Sequence, residues 1–168
     1  LRTQHAPTVV LKEEFTGSIS NLYWSGHALA AQVDTDGVRE LVIWPLVNGA
    51  LSNAVHITIM GELIGAVGNN YINQYGNALS GVSYTGESFV PFVGTATDSD
   101  IIDTSFSAGR LFALTEDSLT VLQLDETDFI SLSTVVSETV SGFQNLQAEN
   151  DHVTLWAENR VASYTLDS

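Results

Sequence analysis

The tetrapeptide Asp34-Thr-Asp-Gly37 has the spacing in this chain that is closest to a metal site. Two carboxylates at alternate positions followed by glycine resemble the start of a calcium loop, in which oxygen ligands surround the ion. The twelfth position from Asp34 is Pro45, where such a loop has a bidentate glutamate, and no helix pattern flanks the segment. Asp-Gly is also typical of a tight turn between two strands. The segment therefore predicts a hairpin turn, and a calcium site at Asp34 and Asp36 is the alternative.

A second group of residues has the types that bind sugars or proteins. Tyr71, Asn73, Tyr75 and Asn77 place aromatic rings and amides at alternate positions of one short segment. Rings supply flat contact area and amides supply adaptable hydrogen bonds. These four residues are the sequence's candidate for a ligand-binding or partner-binding site.

Residue patterns typical of catalysis are missing from the sequence. The four histidines share no close spacing, and the chain has neither a His-x-x-x-His pair nor a Gly-x-Ser-x-Gly elbow. It has no cysteine, which excludes a thiol nucleophile and disulfides. We therefore predict a protein that is not an enzyme, with a glycan-active enzyme using paired carboxylates as the less favoured alternative.

The charge of the chain excludes two classes of partner. Its 168 residues contain 20 acidic and 5 basic side chains, which gives a net charge of −15. Nucleic acids and anionic membranes are bound mainly through Lys and Arg, so neither is an expected partner. The apolar runs, such as residues 41–47, are far too short to span a bilayer. The length fits a single domain over residues 1–168.

An internal repeat organises the chain. Residues 109–125 align without gaps on residues 151–167 at an offset of 42, and Gly26 precedes Gly109 by 83 residues, close to two periods. Extending each copy to its flanks gives four units at 18–60, 63–95, 101–136 and 143–166. Strands are predicted at 18–24, 27–33, 39–46 and 54–60; 63–67, 70–75, 78–84 and 88–95; 101–106, 110–115, 118–124 and 129–136; and 143–148, 152–157 and 160–166. The fold class is therefore all-β.

Four short antiparallel strands every 40–45 residues resemble the blade of a β-propeller of the WD40, kelch or YVTN kind, without the signature motif of any one family. Propellers are commonly completed by an N-terminal strand. The resemblance therefore implies that residues 8–15 pair beside 160–166 and close a ring of four blades. Two alternatives remain: a segment of a larger propeller, such as half of an eight-bladed dimer, and another all-β sandwich or solenoid.

The resemblance also implies where a site would lie. Asp103, on a first strand, would point into a central channel and contact an ion or water there. Nine of the 20 acidic residues fall in turns and connections that share one face of the ring.

We expect a non-enzymatic binding or scaffold module that presents a face of the propeller to a protein partner, which the charge suggests is basic, within a homo-oligomer or larger assembly. The alternative is an extracellular, carbohydrate-binding propeller with a glycan as ligand. An extracellular, virion or cell-surface location is favoured over a cytoplasmic one, and calcium is the only candidate cofactor.

Overall fold

The structure confirms the all-β fold class. The computed structural model describes residues 11–125 and 131–166, and these residues contain sixteen strands and no helix. The described residues accordingly include no helix that is long and apolar enough to cross a membrane.

The strands follow one another in the four predicted units. The first contains β1 (Ser18–Trp24), β2 (Ala28–Thr35), β3 (Val38–Val47), β4 (Ala50–Leu51) and β5 (Val55–Thr58). The second contains β6 (Glu62–Val67), β7 (Asn70–Tyr75), β8 (Ala78–Tyr84) and β9 (Phe89–Ala96). The third contains β10 (Asp103–Ser107), β11 (Arg110–Leu114), β12 (Ser118–Asp125) and β13 (Ser131–Thr139), and the fourth contains β14 (Asn145–Glu149), β15 (His152–Ala157) and β16 (Arg160–Thr165). All fifteen predicted strands are present.

Tight turns with left-handed residues connect the strands within a unit. Asp36 and Gly37, with φ of 51° and 83°, join β2 to β3, which confirms the predicted Asp-Gly turn. Ala108 and Gly109, with φ of 51° and 76°, join β10 to β11 in the same way. Two successive residues with positive φ match the twist of antiparallel strands, so each unit folds as a meander.

Strand register confirms the repeat between the third and fourth units. Phe112 lies opposite Val121, and Thr154 lies opposite Ser163, so both members of the pair are shifted by 42 residues. The next pairs along, Leu114 with Leu119 and Trp156 with Val161, are related by the same shift. Residues at equivalent positions of these two units therefore point to equivalent sides of their sheets.

The four units form three sheets. The second and third units share one eight-stranded sheet, because β9 and β13 meet in a parallel pair between Ser131 and Val93. This sheet curls so that its edge strands, β6 and β10, lie next to each other. β1 runs parallel to β6 through a bridge between Gly26 and Gly68, and β10 is in contact with β14. The first strands of the four units therefore lie side by side in the order β1, β6, β10, β14.

The core lies between successive units. Alternate residues of a strand face opposite sides, so each inner unit contributes to two clusters. Between the first two units, Ala30, Leu41 and Ile43 pack with Leu63 and Tyr71. The other two clusters are formed in the same way, by Ile72, Leu79, Phe92, Leu111, Ala113 and Leu122 between units two and three, and by Phe112, Leu114, Val121, Leu146, Val153 and Leu155 between units three and four.

The expected closing strand over residues 8–15 is wrong at residues 11–15, which form no strand; residues 8–10 lie outside the described residues. Leu11 and Phe15 instead pack on the side of the first unit that faces away from the second. The ring of Phe15 meets Trp44 edge-on at 6.0 Å, and the Trp44 indole N–H donates to Glu13 Oε2 at 2.6 Å. That side of the sheet is apolar, so covering it removes apolar area from water.

Candidate functional site

An open cleft lies where the first strands of three units end. It has a volume of about 700 Å³ and is bordered by the last residues of β1, β6 and β10 and the turns that follow them. Its position depends on the parallel arrangement of these strands, since only parallel neighbours end at the same side. The cleft therefore combines residues that are far apart in the sequence.

Three aromatic side chains line the cleft: Tyr23 and Trp24 at the end of β1, and Phe106 on β10. Trp24 is 56% exposed, so much of its side chain is accessible to solvent. Tyr23 and Phe106 are separated by the same 83 residues as Gly26 and Gly109, which also line the cleft. In the structure Tyr23 packs against the core between the first two units and Phe106 against the core between the second and third, so the two rings approach the second unit from its two sides.

Gly65 allows the cleft wall to form. It lies on β6 beside Phe106, and a Cβ at this position would be 3.2 Å from a carbon of the Phe106 ring. That distance is shorter than ordinary van der Waals contact between carbons, so a side chain here would displace the ring. The absence of a side chain at Gly65 therefore fixes the position of one aromatic wall.

Hydroxyl groups supply the polar part of the lining. Ser105 and Ser107 accept backbone N–H groups of Ala148 and Asn150 at 3.1 and 2.9 Å, which holds both oxygens in place. A serine hydroxyl that accepts a hydrogen bond still has a hydrogen to donate. Ser25 on the opposite side accepts the Ala28 N–H at 3.1 Å and donates to the Ala28 carbonyl at 3.3 Å. These serines border the cleft, and the Ser105 and Ser107 hydroxyls are held against β14, on the side of β10 opposite Phe106.

The cleft is electrically neutral although the chain is strongly acidic. Among the described residues, those that line it include no carboxylate, lysine, arginine or histidine. Burial raises the pKa of the Tyr23 phenol above its ordinary value of 10.0, so this ring is uncharged at neutral pH. The lining therefore offers stacking and neutral hydrogen bonds, and it supplies neither a general base nor a pair of carboxylates.

The four candidate binding residues on and beside β7 do not share one surface in the structure. Tyr71 is buried in the core between the first two units. Asn73 is also buried, and its amide donates to the Met60 carbonyl at 2.7 Å and to Ser80 Oγ at 3.1 Å. Asn77 donates to the Thr97 carbonyl at 2.8 Å, and Tyr75 is exposed. Of the four, only Tyr71 approaches the cleft, because the Ser25 hydroxyl lies near its phenol.

The three candidate metal ligands have different surroundings. Asp34 accepts hydrogen bonds from Gln32 at 2.7 Å and from the Arg39 guanidinium at 3.0 Å. Asp36 is an exposed turn residue. Asp103 accepts the Leu146 N–H at 2.7 Å with one oxygen and the Thr104 N–H at 2.9 Å with the other. Within the described part of the chain, no three acidic or histidine side chains are grouped so that they could hold a metal ion.

The end of the molecule opposite the cleft is acidic. The turns after β2, β11 and β15 and the connections before β6 and β10 lie at this end, because the first strands run parallel. Eight of the nine predicted carboxylates have described side chains there: Asp34, Asp36, Glu62, Asp98, Asp100, Glu116, Asp117 and Glu158. The ninth, Glu138, has a side chain outside the described part. The strand directions thus place these eight carboxylates at the same end of the molecule.

Sequence reasoning missed the cleft. The 83-residue spacing that relates the two glycines also relates Tyr23 to Phe106. This spacing does not reveal that β1, β6 and β10 pack in parallel, and it is that packing which brings the two rings to one cleft. No protein-family model matches this chain, and no curated protein is significantly similar to it.

Proposed function

We propose that this protein is a non-enzymatic binding module and that the cleft between β1, β6 and β10 binds an uncharged carbohydrate. The observation that carries the proposal is the composition of the described lining: its residues include aromatic rings and hydroxyls and no charged side chain, on a chain with a net charge of −15. The extracellular or cell-surface location expected from the sequence belongs to the same proposal.

Size and chemistry both support a carbohydrate as ligand. Small-molecule sites are typically clefts of about 300–1,000 Å³ with apolar walls and a few polar groups that fix orientation. Sugar rings have an apolar face that stacks on aromatic side chains and hydroxyls that exchange hydrogen bonds with serine. Trp24 is an exposed aromatic residue of the lining, and Ser25 and Ser107 are hydroxyl-bearing residues of the same lining. A charged ligand would meet no opposite charge here.

We further propose that the four units are blades of a propeller-like arrangement whose axis passes near the cleft. Side-by-side parallel first strands and meander units support this assignment. Residues 11–15 cover the first unit instead of pairing with β16, which favours an arc of a larger ring over four blades closed by that segment.

A basic protein partner at the acidic end is the second candidate function. It is favoured by the eight exposed or partly exposed carboxylates that the strand directions collect there. Attraction between exposed charges is screened by salt, with a Debye length of about 10 Å at 0.1 M. A protein held at the acidic end would therefore dissociate as salt rises, whereas a neutral sugar in the cleft would stay bound.

The test is a screen of neutral oligosaccharides on a glycan array, followed by calorimetric titration of each hit. Replacing Trp24 with alanine removes the exposed ring, and we expect the affinity to fall at least about tenfold. The matched control is Tyr75→Ala, which removes another exposed ring from the β7 candidate group and should leave the affinity unchanged.

The outcomes separate the two sites. Absence of any neutral oligosaccharide ligand, or wild-type affinity in Trp24→Ala, contradicts the proposal. Loss of binding in Tyr75→Ala alone moves the site to β7. Circular dichroism of both variants controls for folding.

A further inference from the structure

We propose that a second copy of this chain docks head to tail on the protein, with its β1 strand against the outer face of the β14–β15–β16 sheet. The inference is independent of the ligand in the cleft. It rests on the way in which the third and fourth units already pack, and on two sheet surfaces, one in the first unit and one in the fourth, that the described residues leave partly exposed.

The established interface between the third and fourth units has a regular polar part. Three side chains of β10 at alternate positions accept backbone N–H groups of the β14 strand and the residue after it. Asp103 accepts from Leu146 at 2.7 Å, Ser105 from Ala148 at 3.1 Å and Ser107 from Asn150 at 2.9 Å. Each acceptor lies 43 residues before its donor. One first strand therefore offers a row of side-chain acceptors to the free edge of the next.

The fourth unit repeats this row of acceptors on its outer face. At the offset of 42 residues, Asp103, Ser105 and Ser107 correspond to Asn145, Gln147 and Glu149. The strand registers agree with this correspondence, since Asp103 pairs with Leu114 and Asn145 pairs with Trp156. All three replacements have a side-chain oxygen that can accept a hydrogen bond. Gln147 and Glu149 border a shallow depression of about 330 Å³ on this face.

The outer face also retains part of the apolar contact. Leu114 and Leu119 are buried against the fourth unit, and the equivalent residues on the outer face are Trp156 and Val161. Trp156 is 37% exposed and Val161 is 70% exposed, and the two lie opposite each other on β15 and β16. A large apolar pair beside a row of acceptors reproduces the chemistry of the covered interface.

At the other end of the series, β1 is left open. Ile19 pairs with Val33, so its side chain shares the side of the sheet that faces away from the second unit. Residues 11–15 cover the rest of that side, but Ile19 is 52% exposed and Leu22 is also exposed. In the described part of the chain, β1 is paired with β2 and contacts β6, and no other strand continues the series beyond it.

Continuity of this series identifies the occupant as another copy. β6, β10 and β14 each lie beside the first strand of the preceding unit and run parallel to it. Within the described residues, no first strand lies beside β1 on its other side, and none lies beyond β14. A β1 strand placed next to β14 continues the order and brings Ile19 toward Val161. Such a contact joins two different surfaces, so it is heterologous and closes into a ring or extends. Both copies carry a charge of −15, and salt should therefore strengthen their association.

The experiment is sedimentation of the wild-type chain over a wide range of concentration, at low and high NaCl. We expect species heavier than the monomer, favoured by concentration and by salt. Val161→Glu and Ile19→Glu should each weaken the association at least about tenfold, because each places a charge in the contact. The matched control, Val90→Glu, changes an exposed valine of β9 and should associate as the wild type does.

Mixing the two variants tests the head-to-tail geometry. A Val161→Glu chain keeps its β1 side and an Ile19→Glu chain keeps its outer face, so the mixture should form dimers that neither forms alone. Val161→Ser serves as a milder substitution should the glutamate prevent folding. A wild-type chain that stays monomeric, variants that associate normally, or a mixture that stays monomeric would each overturn the proposal.

Discussion

Tyr71 shows how a residue chosen for binding becomes part of the core. Its ring is 1% exposed and packs between the first two units. Among the described residues its phenol oxygen has no aligned hydrogen-bond partner, although the Ser25 hydroxyl is close. Burial raises the pKa of this phenol above 10.0, and the Ser25 hydroxyl opposes part of that rise. The hydroxyl therefore adds little stability at neutral pH and makes the fold sensitive to alkali.

Tyr71→Phe tests this description. A buried hydroxyl without a partner costs about 1–3 kcal/mol of desolvation, so we expect the free energy of unfolding to stay constant or rise at neutral pH. The folded pKa lies above the unfolded one, so its contribution is fully present below pH 10.0 and is lost as the pH rises through the folded value. The variant should therefore lose less stability than the wild type does above pH 10.0.

Urea unfolding at neutral and alkaline pH measures both effects. Tyr75→Phe, which removes a hydroxyl from an exposed ring, is the control at neutral pH. A loss of about 1 kcal/mol in Tyr71→Phe at neutral pH would instead indicate a formed hydrogen bond to Ser25.

At the scale of the strands, local pattern was sufficient to predict most of the structure. Alternation of apolar residues and turns such as Asp36-Gly37 located the strands, because both are local properties. A strand was predicted incorrectly over residues 11–15, the described part of the expected closing strand, for the opposite reason. Its apolar residues suit either a strand or a cover for another sheet, and the choice depends on Trp44, which is distant in the sequence. The cleft was not predicted for the same reason: it depends on how β1 and β10, which are distant in the sequence, are placed relative to each other.

Phe15→Ala tests the role of the N-terminal segment. Removing a buried phenylalanine costs 3–5 kcal/mol, and Phe15 is only partly buried, so we expect a loss of about 2 kcal/mol. Near-UV circular dichroism should change as well, because Trp44 loses its edge-on neighbour. Deleting residues 1–16 lowers the melting temperature whether the segment closes a ring or covers the first sheet, so the deletion does not separate the two.

The control for Phe15→Ala lies in the same segment. The control replaces Lys12 with alanine. Lys12 is exposed and pairs at 3.5 Å with Glu14, which is exposed too. Surface substitutions of this kind usually change stability by less than about 0.5 kcal/mol. Equal melting temperatures for Phe15→Ala and the wild type would show that residues 11–15 do not hold the first sheet in solution.

At the scale of the whole molecule, the distribution of charge opposes folding. The chain carries a net charge of −15, and eight carboxylates are gathered at the end opposite the cleft. A few surface ion pairs partly offset this repulsion, such as Arg39 with Asp34 at 3.0 Å and Arg110 with Asp151 at 2.6 Å. Each such pair contributes about 0–1 kcal/mol, and salt weakens it. The balance between the two effects decides how salt acts on stability.

We expect NaCl to stabilise the protein, because screening relieves more repulsion than it removes attraction. The urea midpoint should rise between low and moderate salt at neutral pH. The double variant Asp98→Asn/Asp100→Asn removes two exposed carboxylates from the acidic end, and it should be more stable at low salt and respond less to NaCl. Glu87→Gln, in the turn between β8 and β9 at the other end, should change the response less. A midpoint that falls with salt would show that the ion pairs outweigh the repulsion, and it would contradict the expectation that the carboxylates of the acidic end repel one another.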